Sequence, residues 1–275
     1  MTELQKIEFD LLKNFIYICE KLDLRWYLVC GTALGAVKYG GFIPWDDDID
    51  VALPREDYEI FIEKSQSMLP DGIFLQNTKT DPSFPQLYSK LRNSNTTYIE
   101  KSVEHLDINH GIYIDVFPLD GYPSNSQDAR YLEKRIRICR LMISCVYNFD
   151  FSKKEKLFYA FERMLGLHKK TPEIIFRFNK LISPFSTEKS DIWCNHGNWQ
   201  GKTEYASREQ YGEGTECLFE GMVVRIPEKY DEYLTQKYGD WRADLPENEK
   251  KGHHFYSVCD TKKPYILYLN RKEKK

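Results

Sequence analysis

The stretch "WDDDIDVALP", residues 45–54, sets four aspartates in five positions and then runs into an apolar segment. No other feature of the chain limits the fold so tightly. Like charges crowded among Trp45, Ile49, Val51 and Leu53 repel one another and lose solvation, so something cationic must offset them. In an extended segment, side chains at i, i+2 and i+4 share a face. The alternation predicts Asp46, Asp48 and Asp50 on one face and Asp47, Ile49 and Val51 on the other. A row of carboxylates beside a buried apolar face suits hard divalent cations, which take oxygen ligands. "GIYIDVFPLD", residues 111–120, places Asp115 inside a second apolar strand, where an uncompensated charge is costly. A cation shared with Asp48 and Asp50 would offset that cost.

The surrounding pattern mixes helices and strands. Leu4, Ile7, Leu11, Phe15, Ile18 and Leu22 recur every three or four residues, which predicts an amphipathic helix over 3–22. "RWYLVCG" reads as a short buried strand. "TALGAVKYG" reads as a helix that follows it directly, with Thr32 near the N-cap. "DIDVAL" reads as a strand and "REDYEIFIEKSQSML" as a helix begun after Pro54. Further strands are expected at 72–77, within 86–100 and at 111–117. From about 125 to 183 the spacing turns helical, through "ARYLEKRIRICRLMISCVYN", "KKEKLFYAFERMLGL" and "TPEIIFRFNKLI", the last with Thr171 as N-cap and Pro172 at N1. "CLFEGMVVRI" then reads as one strand, and "PEKYDEYLTQKYG" as a helix with glycine just past its end. The expected class is α+β, in three parts: a core over 1–124, a helical segment over 125–190, and a C-terminal segment over 191–275 that packs on the core and completes its site.

Composition narrows the function classes. A net charge of −3 argues against a general nucleic-acid binder. No apolar run is long enough to span a bilayer, and the amphipathic N-terminus lacks a signal-peptide core. Seven cysteines without a C-x-x-C pair argue against a disulfide framework and read as reduced thiols of a cytoplasmic enzyme. Cys194 and His196 in "WCNHGNW" lack a second ligand pair at matching spacing and read as loop residues rather than a zinc site. Residues 131–180 hold 12 Lys or Arg against 5 Asp or Glu, a local net of +7 that leaves −10 for the rest of the chain. Such a segment reads as a solvated helix face or as a surface for an anionic membrane or a polyanionic acceptor.

A glycine–hydroxyl pair (Gly31, Thr32), an Asp–apolar–Asp–apolar run, and a later strand aspartate together resemble the layout of the nucleotidyltransferase fold, the polymerase-beta-like superfamily. Backbone N–H groups at the helix start can hold a phosphate there, and Gly31 allows close approach. The longer stretch "GTALGAVKYGGFIPWDDDIDVALPREDYEIF" is similar to the LicD family, the bacterial phosphocholine transferases whose core fukutin and fukutin-related protein share. The likeness continues through "KLRNSNTTYIE", "HGIYIDVFPLDG" and "FEGMVVRIPEKYDEYLTQKYGDW", and so covers most of the chain.

The resemblance implies an α+β nucleotidyltransferase core, a mixed sheet flanked by helices, with a helical insertion and a mixed C-terminal segment. It implies transfer of phosphocholine from CDP-choline to a hydroxyl of a cell-surface glycan, of teichoic acid or lipopolysaccharide type, with release of CMP. CDP-glycerol, CDP-ribitol or a sugar-phosphate donor is the alternative. The implied partners are this CDP-activated alcohol and a lipid-linked glycan, with peripheral contact at the inner face of a membrane and no nucleic acid. Carried over position by position, Gly31 and Thr32 meet the donor phosphates. Asp46, Asp48, Asp50 and Asp115 are metal ligands for Mg²⁺, with Mn²⁺ as alternative, and Asp48, Asp50 and Asp115 are the catalytic carboxylates. Lys38, Lys90 and Arg92 are candidates for neutralising the diphosphate. A quaternary ammonium is held by aromatic faces, for which Trp193, Trp199, Tyr205, Tyr211 and Trp241 are candidates. His110 reads as a turn residue, and His253 and His254 as outer or surface groups.

Overall fold

Helix α1, Glu3–Lys21, begins where Thr2 and Gln5 close a capping box: Gln5 N–H donates to Thr2 Oγ1 (3.1 Å) and Thr2 N–H to Gln5 Oε1 (2.9 Å). Its apolar stripe, with Leu11, Leu12, Phe15 and Ile18 buried, seats on a mixed sheet. The computed structural model describes residues 1–147, 160–161, 164–197, 201–252 and 255–269. Five strands run in the order β1 (Tyr27–Leu28), β2 (Asp50–Pro54), β6 (Ile112–Gly121), β4 (Ser89–Asn93) and β3 (Ile73–Gln76). Only the β2–β6 pair is parallel; the others are antiparallel. Helix α2, Cys30–Tyr39, lies between β1 and β2, and α3, Arg55–Lys64, follows β2 directly. The architecture is α+β, as the pattern predicts.

Alternation decides which residues face which way. Val51, Leu53, Leu91, Ile114 and Val116 join α1 and Phe61 of α3 in the main core. Asp50, Lys90 and Asp115 alternate with them and fall on the opposite face. The ten residues of β6 are all buried, and its far end pairs with β7 (Ile192–Cys194), which pairs in turn with β8 (Tyr205–Ser207). Strand β5, Thr97–Glu100, leaves the main sheet and pairs with β11, Tyr256–Asp260.

Helices α4 (Ser126–Ser144) and α5 (Thr171–Ile182) pack together in a second core with Phe84, Leu87, Val103 and Ile108. Most of "KKEKLFYAFERMLGL" lies outside the described residues. Thr171 is the first residue of α5 rather than its cap, because a 3₁₀ turn over Leu167–Lys170 leads straight into the helix. "CLFEGMVVRI" is not one strand but two, β9 (Thr215–Phe219) and β10 (Met222–Ile226). Glu220 and Gly221 turn between them with φ of 50° and 81°, as a tight two-residue hairpin requires. Phe219, Val224 and Ile226 of the hairpin and Tyr233, Leu234 and Trp241 beyond it enter the main core, so the C-terminal segment packs where α2 and β2 begin. Among the described residues no helix is long and apolar enough to cross a membrane.

Candidate active site

The parallel register sets Asp50 opposite Asp115, and the antiparallel register sets Lys90 opposite the same Asp115. Three charged residues thus form one row across β2, β6 and β4. The strand does not reach back as far as the alternation suggested. β2 starts at Asp50; Asp46 closes a turn over Pro44 and Trp45, its N–H donating to Ile43 O (2.9 Å), and Asp47 to Ile49 run on as irregular chain. Even so, one carboxylate oxygen from each of Asp48, Asp50 and Asp115 lies within 4.8 Å of the others. Asp46, Asp47 and Asp48 meet the same limit as a second group. Asp115 N–H donates to Ile49 O (2.8 Å), which carries the ladder one residue past the strand and fixes Asp48 beside the pair. From α1, Gln5 Nε2 donates to Asp46 O (3.1 Å) and steadies the turn. Asp47 points away from the row: its Oδ2 accepts from Tyr98 Oη (3.3 Å) and lies against Gly252.

The start of α2 is clipped to the same place. Val29 N–H donates to Asp50 O (3.1 Å), and Asp50 N–H donates to Thr32 Oγ1 (2.8 Å). Thr32 is therefore buried in the first turn rather than serving as N-cap, which is Val29, and its hydroxyl accepts from backbone. Gly31 is tight for a different reason: a Cβ there would sit 3.0 Å from Asp46 Oδ2. The helix start and the carboxylates share a cavity of about 810 Å³. Cys30, Gly31, Asp46, Asp48, Asp50 and Asp115 line its acidic part, and Tyr39, Trp45, Tyr88, Phe117, Tyr238 and Trp241 add aromatic walls. Burial pushes the Cys30 thiol well above its ordinary value, so it stands there uncharged.

The three basic residues expected at the diphosphate have other surroundings. Lys90 is buried, with Nζ 3.2 Å from Asp115 Oδ1, 3.4 Å from Glu100 Oε1 and 3.2 Å from the centre of the Tyr113 ring. Arg92 is fully buried: Nη1 donates to Gly111 O (2.6 Å), Nη2 to Glu100 Oε2 (3.2 Å), and Nε to Gln76 Oε1. Neither lines the cavity, because both sit on buried strand positions where the sheet already supplies their counter-charges. Lys38 does line it, but its Nζ donates to Arg242 O (3.0 Å) and Ala243 O (2.7 Å) and pairs with Asp244 (3.2 Å). It ties the Gly239–Gly252 segment across the cavity.

Sequence reasoning missed Lys237. This residue of α6 (Tyr230–Tyr238) lines the cavity, pairs with Glu204, and is almost wholly buried. Burial opposes its charge; the neighbouring Cys30, Glu204 and Asp50 favour it and together lift its pKa above the ordinary value. The signal was its spacing. Lys237 lies three and four residues past the buried Leu234 and Tyr233, which puts it on the inward face of its helix. The aromatic candidates also change. Trp193 and Tyr211 are buried and stack on each other in the main core at 5.5 Å, and Tyr205 packs on Tyr122. Trp199, His253 and His254 lie outside the described residues. Of the four candidate aromatics among the described residues, Trp241 alone lines the cavity, joined by Tyr39, Trp45, Tyr88 and Tyr238. His110 is buried, with its ring 3.1 Å from Leu106 O. Cys194 and His196 are likewise buried rather than in an open loop, sulfur to ring nitrogen at 3.2 Å.

Residues 23–138, which span β1 to α4 and hold the whole carboxylate row, match the family model described as LicD/FKTN/FKRP, nucleotidyltransferase domain. Over that stretch the chain is similar to the LicD family. It is 25% identical over 266 residues to the lipopolysaccharide cholinephosphotransferase LicD of Haemophilus influenzae, covering 92% of this chain and 96% of that protein. An uncharacterised protein of Rickettsia prowazekii is 30% identical over 117 residues, covering 42% of this chain and 40% of that one. The LicD domain contains Gly31, Asp46, Asp48, Asp50, Lys90 and Asp115, whereas Lys237, Tyr238 and Trp241 come from beyond it. The cavity is thus closed by residues that the domain itself does not supply.

Proposed function

We propose that this chain is a phosphotransferase that moves phosphocholine from CDP-choline to a hydroxyl of a cell-surface glycan, of lipopolysaccharide or teichoic acid type, and releases CMP. The observation that carries the reading is the convergence of Asp48, Asp50 and Asp115 at a cavity that also holds a helix start and aromatic walls. The likeness to a lipopolysaccharide cholinephosphotransferase over nearly the full chain supports the same donor group. We read the core as a nucleotidyltransferase fold, in which an aspartate pair at one strand start meets a third aspartate on its neighbour, as Asp48, Asp50 and Asp115 do here.

The carboxylates fit a divalent cation: three hard oxygen donors lie close enough to share one ion, and donor phosphates would complete its shell. Mg²⁺, or Mn²⁺ in its place, held by Asp48, Asp50 and Asp115 would neutralise diphosphate charge and make the attacking hydroxyl more acidic. Asp46 stands beside Asp48 as an outer ligand for the same charge. The chain's own groups do the rest. The α2 start at Gly31 and the Lys237 ammonium meet the diphosphate. Tyr39, Trp45, Tyr238 and Trp241 offer ring faces to the quaternary ammonium. Lys90 holds one oxygen of Asp115, and Asp115 accepts the acceptor's hydroxyl proton. The hydroxyl oxygen forms its bond to the choline-side phosphorus as the bond from that phosphorus to the CMP oxygen breaks in line.

The test is CMP release from CDP-choline in the presence of Mg²⁺ and a lipopolysaccharide acceptor, beside thermal shifts with CDP-choline, CDP-glycerol and CDP-ribitol. CDP-choline should raise the melting temperature most and yield labelled glycan. Stabilisation by CDP-glycerol or CDP-ribitol alone would overturn the choice of donor.

A further inference from the structure

Helix α4 turns to solvent a face that the core does not use. Its inward residues Leu132, Ile136, Cys139 and Ile143 fill the second core. On the opposite side Tyr131, Ile138 and Leu141 stand 57%, 42% and 43% exposed. Lys134 and Arg135 are exposed between them, with Arg130 and Arg137 at the border. The neighbouring α5 repeats the pattern, with Phe176 70% exposed beside exposed Arg177 and Lys180. Single exposed apolar groups are ordinary. A periodic row of them interleaved with Lys and Arg is the composition of a helix that lies in a lipid interface.

Charge selects the occupant. Within α4, five basic residues (Arg130, Lys134, Arg135, Arg137, Arg140) stand against Asp128 and Glu133, and Glu133 accepts from Tyr122 Oη (2.7 Å). This excess belongs to a chain whose net charge is −3, so it is a local device and not a general bias. A second copy of the chain docked symmetrically on this face would set Arg130, Lys134, Arg135 and Arg137 against their own counterparts. An anionic bilayer accepts both the cations and the apolar groups.

We propose that the outer face of α4 seats this protein on an anionic membrane surface. The inference rests on helix geometry and charge and does not depend on the transferase reading.

The test is co-sedimentation of the full chain with vesicles of phosphatidylcholine alone and of an equal mixture with phosphatidylglycerol. Binding to the mixed vesicles alone is expected, weakening as salt rises. Lys134→Glu/Arg135→Glu should reduce that binding roughly twentyfold or more, since each basic residue near such a surface contributes about fivefold. Ile138→Ser/Leu141→Ser should reduce it without altering the salt dependence. All four positions are exposed, so unchanged melting temperatures and unchanged CMP release on a soluble acceptor should accompany the loss. Absence of binding to anionic vesicles, equal binding to both vesicle types, or wild-type binding by both variants would overturn the proposal. Salt-sensitive capture of an acidic protein without vesicle binding would reassign the face to a protein partner.

Discussion

The two ends of the charged row on the sheet behave differently. At the β4 end, Lys90 and Arg92 are closed in with Glu100, Asp115, Gln76 and the Gly111 carbonyl, cation against anion or oxygen, with little exposure. At the β2 end, Asp46, Asp48 and Asp50 are half-buried, and carboxylate meets carboxylate at a cavity. The first arrangement is complete in the folded chain. On the proposed reading the second is completed by a cation. Asp115 belongs to both, with Lys90 on one side and Asp50 on the other. One sheet therefore carries a structural charge network and a receptive one a single strand apart, and sequence chemistry alone does not tell them apart.

Substitutions should separate the two ends. Asp48→Asn or Asp115→Asn should lower turnover by about 10³-fold, the range lost with a general acid–base group. The melting temperature without metal should hold or rise for Asp48→Asn, because a like-charge repulsion is relieved, and fall for Asp115→Asn, which also breaks the buried pair with Lys90. Near-normal turnover in either would dissolve the distinction. Lys90→Met should act on the other quantity. It leaves Asp115 without its buried counter-charge and Glu100 with Arg92 alone, and should remove about 3–5 kcal/mol of stability in urea denaturation. A Lys90→Met protein of wild-type stability and reduced activity would instead move Lys90 to the receptive end. The smallest effect is expected at Lys237, which stands at the cavity but pairs with Glu204. Lys237→Met should raise the KM for the donor about tenfold and change kcat much less. An equal fall in kcat would show that the ammonium acts on the transition state and not only on binding.

Much of this site was legible in advance because its core is local. The Asp50–Asp115 pairing follows from two apolar strands, each with one acid that must face its neighbour. The register then proves direct, Asp50 opposite Asp115. The geometry of Asp46 and Asp48 was less legible, since alternation holds only inside a strand and β2 begins at Asp50. Lys90 and Arg92 were expected at the diphosphate and lie off the cavity, because a cation on a buried strand reads the same whether its partner is a ligand or Glu100. The largest omission, Lys237, comes from a helix about 190 residues beyond α2 in the chain, and only tertiary packing brings it to Asp50. The β9–β10 hairpin was missed where Glu220 takes a left-handed conformation that glutamate seldom adopts.

The parallel pairing of β2 with β6 has a kinetic side. Asp50 and Asp115 meet only after the sixty-four residues between them have been gathered into a loop, the slow kind of event in chain collapse. The same closure brings Val51 and Leu53 against Val116 in the main core. The acids are thus forced together in a step that also buries apolar surface, and the growing core drives them past their repulsion. Divalent cations present during refolding should act late, leaving early collapse unchanged and slowing the reverse reaction, the opening of the finished sheet.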